Sequence, residues 1–310
     1  MKKLFIAMLA VAAVTACAKD EAISLNQEAI DFGSPFVENS TRATDPSLGT
    51  TDKPFTKFQV WGTAGNVAIY AGENVSGSVG PNSVWTCTKQ NFWVNGVVYK
   101  FAAVANGDAT VDMKTKVAVE NGLPKTISYT ADGVSDLIYA KNFGLNDNGI
   151  VGKPAGQNSA VALTFNHLLA KAKFTVTTGA IVDGYHYEVT NIKITNAYGS
   201  GVYNVDSETW GDTSVSPQAF DNITVNATSV ESANEKLLIP VENVAVSFTA
   251  ALYFGNEVIW SDTVTKTLEN DLVAGNSYNF TIGLNIGEEI KFNVATNPGW
   301  TVNDDPITVQ

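Results

Sequence analysis

Arginine is almost absent from this chain of 310 residues: Arg42 is the only one, beside eighteen lysines. Cysteine is nearly as scarce, at two, so no disulfide framework can hold the fold together. Two histidines, His167 and His186, lie 19 residues apart, without the close spacing of a helical metal-ligand pair. Charged residues make up only 16%, against about 25% in an average soluble domain, so the polar surface must come largely from Thr, Asn, Ser and Gly. The charge that is present is mostly acidic, and a net charge of −12 disfavours nucleic acid or an anionic surface as partner. No apolar run reaches the roughly 20 residues needed to span a bilayer. What the chain does have is β-branched residues. Thirty-five Val outnumber 16 Leu, and 31 Thr join them, which favours strands and argues against a helical bundle.

The first 17 residues read as an export signal. Lys2 and Lys3 precede an apolar stretch from Leu4 to Val14, and small residues then lead to Cys17. Val14-Thr15-Ala16-Cys17 resembles the lipobox of bacterial lipoproteins, which implies cleavage before Cys17 and lipid on its thiol. An ordinary signal peptide ending near Ala16 or Ala18 is the alternative. Lys19, Asp20 and Glu21 follow the cysteine and resemble the surface-export signal of Bacteroidales lipoproteins. With Cys17 lipidated, Cys87 has no partner and reads as a small buried hydrophobe.

Residues 18–54 are polar and hold one short strand pattern, Glu28-Ala29-Ile30-Asp31-Phe32, in which Ile30 and Phe32 alternate with acids. Arg42 follows in Asn39-Ser40-Thr41-Arg42-Ala43-Thr44-Asp45-Pro46, a run that predicts an exposed loop. From Phe55 onward short alternating or apolar runs recur between turn signals. Asn91–Val94, Asn95-Gly96 and Val97–Ala102 predict a hairpin. Gly144 to Ala160, with four Gly, three Asn and a Pro, predicts a boundary or long connection. Strand patterns then resume to residue 295, so β-sandwiches, two in number, are expected.

Motifs for chemistry are missing. There is no His-Glu-x-x-His, Cys-x-x-Cys, Gly-rich phosphate loop or Gly-x-Ser-x-Gly elbow. Asn146-Asp147-Asn148-Gly149 lacks the opening Asp and closing Glu of an EF-hand loop. Trp61, Trp85 and Trp93 lie in strand runs, where core packing is the default. The residues alone predict an exported β-sandwich protein with no catalytic signature and no cofactor.

Five segments together resemble the Bacteroidales fimbrillin family, the subunits of type V pili. They are Phe58–Thr63, Asn91–Trp93 with Tyr99–Ala103, Asp136–Ala140, Phe165–Lys171 and Leu272–Tyr278. The resemblance implies an all-β fold of two tandem transthyretin-like Greek-key β-sandwich domains behind a lipoprotein signal peptide. It divides the chain into a signal peptide at 1–16, a lipidated propeptide with a removable strand at 17–42, and sandwiches at 43–157 and 158–310. It further implies an outer-membrane, cell-surface fimbrium subunit, stalk or tip, that serves adhesion. Its partners would be other fimbrillin subunits, an Arg-specific protease cutting between Arg42 and Ala43, membrane lipid through Cys17, and a host or bacterial surface ligand.

Removal of the early strand would open a groove for a neighbour's strand, the β-augmentation mode. Ile290, Phe292 and Val294, with Ile307 and Val309 beyond them, are the donor-strand candidates. The alternative for them is completion of their own domain. The alternative for Arg42 is a solvated loop charge, and for the whole protein a surface glycan-binding lipoprotein with an exposed aromatic platform.

Overall fold

The computed structural model describes residues 27–33, 35–37, 56–77, 85–107, 111–143, 149–226 and 230–297. Cys17, Lys19, Asp20, Glu21, Arg42, Ala43, Ile307 and Val309 lie outside the described residues. Apart from a 3-10 turn at Met113–Thr115, the regular elements are strands. In the first part of the chain they are β1 (Phe36–Val37), β2 (Lys57–Ala64), β3 (Val67–Ser76), β4 (Thr86–Cys87), β5 (Val98–Asn106), β6 (Val117–Glu120), β7 (Leu123–Thr130), β8 (Leu137–Lys141), β9 (Ile150–Val151) and β10 (Thr164–His167). There follow β11 (Ala170–Thr178), β12 (Tyr185–Ile194), β13 (Tyr198–Asn204), β14 (Thr209–Val215), β15 (Gln218–Ala219), β16 (Ile223–Val225), β17 (Val230–Ser232) and β18 (Lys236–Leu238). The last four are β19 (Ala245–Phe254), β20 (Glu257–Thr267), β21 (Ser277–Leu284) and β22 (Lys291–Asn297).

Four sheets result. The largest runs β1-β10-β8-β5-β2-β3-β4, with β9 on β5. Its central strands are covered on both faces, so β2 and β5 are buried almost without interruption, Gln59 and Thr63 included. Phe58, Val60, Phe101, Ala103 and Phe165 point to one face. Trp61, Ala102, Val104, Leu137 and Tyr139 point to the other. That second face packs on a four-stranded sheet, β14-β13-β7-β6, through Ile127, Tyr129, Tyr203 and Val205. Two five-stranded sheets, β17-β11-β21-β22 with β18 also on β11 and β15-β12-β19-β20 with β16 also on β12, enclose the other main core. Here the alternation is plain: Tyr278, Phe280, Ile282 and Leu284 are buried, and the residues between them are not.

The chain passes from the first assembly to the second between β10 and β11. Val161, Leu163 and Phe165 pack in the first core, β10 pairs with β8, and Ala170 opens β11 in the second. The halves also share a sheet, because β13 pairs with β7 from Ser200↔Thr130 to Asn204↔Thr126. The expected hairpin is replaced by something else. Val97 N donates to Val94 O to close a turn, but only Gly96, not Asn95, has a positive φ, so the two-residue type I′ geometry is not formed. β5 pairs instead with β2 and β8. Residues 91–93 pair with the amino-terminal segment.

Candidate functional site

Glu28 to Gly33 lies as an extended segment against the first core, joined to its neighbours by the bridges Ala29↔Phe92, Phe32↔Trp85 and Phe32↔Val161. On one side Trp93 N donates to Glu28 O at 2.9 Å and Ile30 N donates to Asn91 O at 2.9 Å. On the other, Val161 N donates to Asp31 O at 2.7 Å and Gly33 N donates to Val161 O at 3.0 Å. The segment therefore has backbone partners on both sides, as a central strand does. β1 continues the run, parallel to β10 in the register Phe36↔Thr164 and Val37↔Phe165.

Its side chains follow the period of two that the sequence shows. Ile30 and Phe32 are 3% and 4% exposed, while Asp31 between them faces solvent. The Phe32 ring meets Phe58, Tyr70 and Phe101 edge-on, with centroids 5.8 to 6.0 Å apart. These are favourable quadrupole arrangements. Trp85 stacks on Phe58 at 5.6 Å, and Trp93 meets Tyr99 at 4.7 Å, closing the socket walls. The core expectation for Trp61, Trp85 and Trp93 holds, since all three are buried. Cys87, half-buried beside this cluster, has its thiol pushed up by burial, away from the nucleophilic thiolate.

A polar clasp secures the segment's start. The Glu28 carboxylate accepts from Gly156 N at 2.9 Å, Asn158 N at 3.2 Å and Asn158 Nδ2 at 2.5 Å. Asn158 Oδ1 in turn accepts from Lys153 N at 2.8 Å. The Asn158 side chain chiefly, with the backbone N–H groups, lowers the Glu28 pKa. A lowered pKa means the clasp is complete above the ordinary carboxylate range and is lost as pH falls through the lowered value. Amide-exchange protection at Gly156 and Asn158 is therefore expected to be present at neutral pH and to drop as pH falls below the ordinary carboxylate range. Glu28→Gln removes most of that pH dependence. Equal pH dependence in the variant would contradict the clasp.

The arrangement offers no reacting group. What it can do is recognise an extended chain carrying apolar side chains at i and i+2. Among the candidate donors, Ile290, Phe292 and Val294 are half-buried against the second core. β22 pairs with β21 over seven positions, and Phe292 stacks on Phe248 and Phe280 at 5.9 and 6.2 Å. These three residues thus contribute to their own sandwich. No local pattern in the sequence links Glu28 to its partner Asn158, which lies 130 residues away.

Among the described residues no helix is long and apolar enough to cross a membrane. No curated protein matches the chain. Solved structures do resemble it. A fimbrial protein from Bacteroides vulgatus aligns at 15% identity and TM-score 0.57, over 88% of this chain and 99% of that one. A putative cell adhesion protein from Bacteroides uniformis aligns at 16% identity and TM-score 0.49, over 89% and 98%. A fimbrial assembly protein from Parabacteroides distasonis aligns at 15% and 0.49, over 87% and 95%. At such identity the first establishes a shared fold alone. The family follows from a sequence profile described as fimbrillin-like, which matches residues 41–302. With that match over most of its length, the chain belongs to the fimbrillin-like family of structural fimbrial proteins.

Proposed function

We propose that this protein is a stalk or tip subunit of an adhesive surface fimbria, assembled by exchange of its amino-terminal strand for a strand of a neighbouring subunit. Cys17 carries the lipid of the exported precursor, with Lys19, Asp20 and Glu21 directing it to the surface. A protease then cuts between Arg42 and Ala43. The observation that supports this reading most is the burial of Ile30 and Phe32 in a socket walled by Phe58, Tyr70, Trp85 and Phe101. The strand that fills the socket precedes the only arginine in the chain.

Magnitudes favour release after the cut. Burying two such side chains is worth about 3–6 kcal/mol, and each backbone bond adds about 0.5–1.5. An untethered segment must also meet an association cost of about 4–15 kcal/mol, which the intact chain does not bear. The emptied socket would expose aromatic surface and unpaired backbone, a strong invitation to another strand.

Ile307-Thr308-Val309 repeats the apolar-polar-apolar pattern of Ile30-Asp31-Phe32 and is the donor in this reading. Using Phe292 and Val294 instead would cost the ladder between β21 and β22. An Ile307→Asp, Val309→Asp double variant is expected to be exported and cut normally but to stay monomeric on SDS gels of unheated samples. SDS-resistant ladders at the wild-type level from that variant would rule out this donor.

A further inference from the structure

A cleft of about 930 Å³ opens where the largest sheet, the four-stranded sheet and the loops of the second sandwich meet. Its volume lies in the usual range of ligand sites, about 300–1,000 Å³, and sheet junctions are where such sites tend to form. It shares none of the aromatic walls of the socket of Ile30 and Phe32 named above. Aromatic side chains supply much of its lining: Trp210, Tyr198, Tyr203 and Tyr139. Trp210 is held in place, since its Nε1 donates to Leu168 O at 3.0 Å and its ring meets Tyr203 edge-on at 5.5 Å. Its indole is therefore a fixed surface.

The rest of the lining points to a polar ligand with an apolar face. Around the aromatic surface stand groups that can both donate and accept. Lys141 Nζ and Glu208 Oε1 pair at 2.9 Å, and Asn166 stands on the adjoining strand. Glu242 and Asp271 complete the mouth, so carboxylates outnumber the single lysine there. An acidic mouth on a chain of net charge −12 repels anionic ligands.

We propose that this cleft binds a neutral oligosaccharide. A pyranose has an apolar C–H face, which rests on an aromatic ring, and a rim of hydroxyls that both donate and accept. Trp210 provides the surface, and Lys141, Glu208 and Asn166 the hydrogen bonds. The site belongs to the uncut chain and does not depend on processing or assembly.

The test is calorimetric titration of the purified, unprocessed protein with mannohexaose, cellohexaose and chitohexaose, and with hexagalacturonate as the acidic comparison. At least one neutral hexamer is expected to bind with Kd below about 1 mM. Trp210→Ala should weaken it at least tenfold, and Trp260→Ala, far from the cleft, should leave it unchanged. Glu242→Trp, at an exposed rim position, obstructs the mouth without touching a core. It decides the matter if Trp210→Ala does not fold. Failure of all three neutral hexamers to bind below about 1 mM would overturn the proposal. So would tighter binding of hexagalacturonate, or binding that survives these cleft substitutions.

Discussion

Phe32→Ala is expected to destabilise the unprocessed protein by about 3–5 kcal/mol, the usual cost of emptying a fully packed phenylalanine site. Phe32 is 4% exposed and touches three aromatic rings, so truncation leaves a cavity that Phe58, Tyr70 and Phe101 cannot close without leaving their packed positions. Asp31→Ala, on the exposed side of the same strand, should fall within about 0.5 kcal/mol of wild type. The contrast between neighbours isolates burial as the cause. Urea unfolding of the two variants measures it. The account adds a second condition: assembled fimbriae made from either precursor should be equally stable, because the segment is no longer part of them. A Phe32→Ala defect that persists in the polymer would mean the segment stays in its socket.

The second large effect is on assembly. Arg42→Lys keeps the charge but removes the only arginine, so an Arg-specific protease has no site left in the chain. Precursor should accumulate and SDS-resistant polymer should be lost. Lysine is not an isostere of arginine's planar, five-donor fork, so a pocket built for guanidinium discriminates between them. Adding Thr41→Arg to the lysine variant moves the site by one residue and should restore both cleavage and polymer. Rescue distinguishes loss of the cut from a folding defect. Unchanged polymer from Arg42→Lys alone would sink the processing step.

Much of the fold can be read from periodicity. The alternation in Ser277–Leu284 and in Ile30–Phe32 gives strand and buried face together, because a sheet with one covered face imposes a period of two. β2 and β5 are less transparent, since cores on both faces erase that alternation. What could not be read is partnership. Asn91–Trp93 ends four residues short of β5, so a local rule joins them as a hairpin, yet it pairs with residues about 63 positions earlier, Trp93 to Glu28 among them. The Gly-rich stretch from 144 to 160 reads as a boundary or long connection by composition. Nothing local shows that Asn158 within it clasps Glu28, or that β7 and β13, on either side of it, pair. The socket was half legible: its occupant showed in Ile30 and Phe32, but its walls come from five separate stretches of sequence that only the fold brings together. The cleft at Trp210 left no sequence signal beyond scattered aromatics, since its lining comes from two sheets and from loops of the second sandwich.

The central claim is that the strand at Glu28–Gly33 is temporary, present in the precursor and replaced in the fibre. Mass spectrometry of the amino terminus of the subunit, taken from SDS-resistant surface polymer, tests it most directly. The account predicts Ala43 as the first residue and no peptide containing Ile30 or Phe32. Polymer whose subunits begin at acylated Cys17 and retain that strand would contradict it.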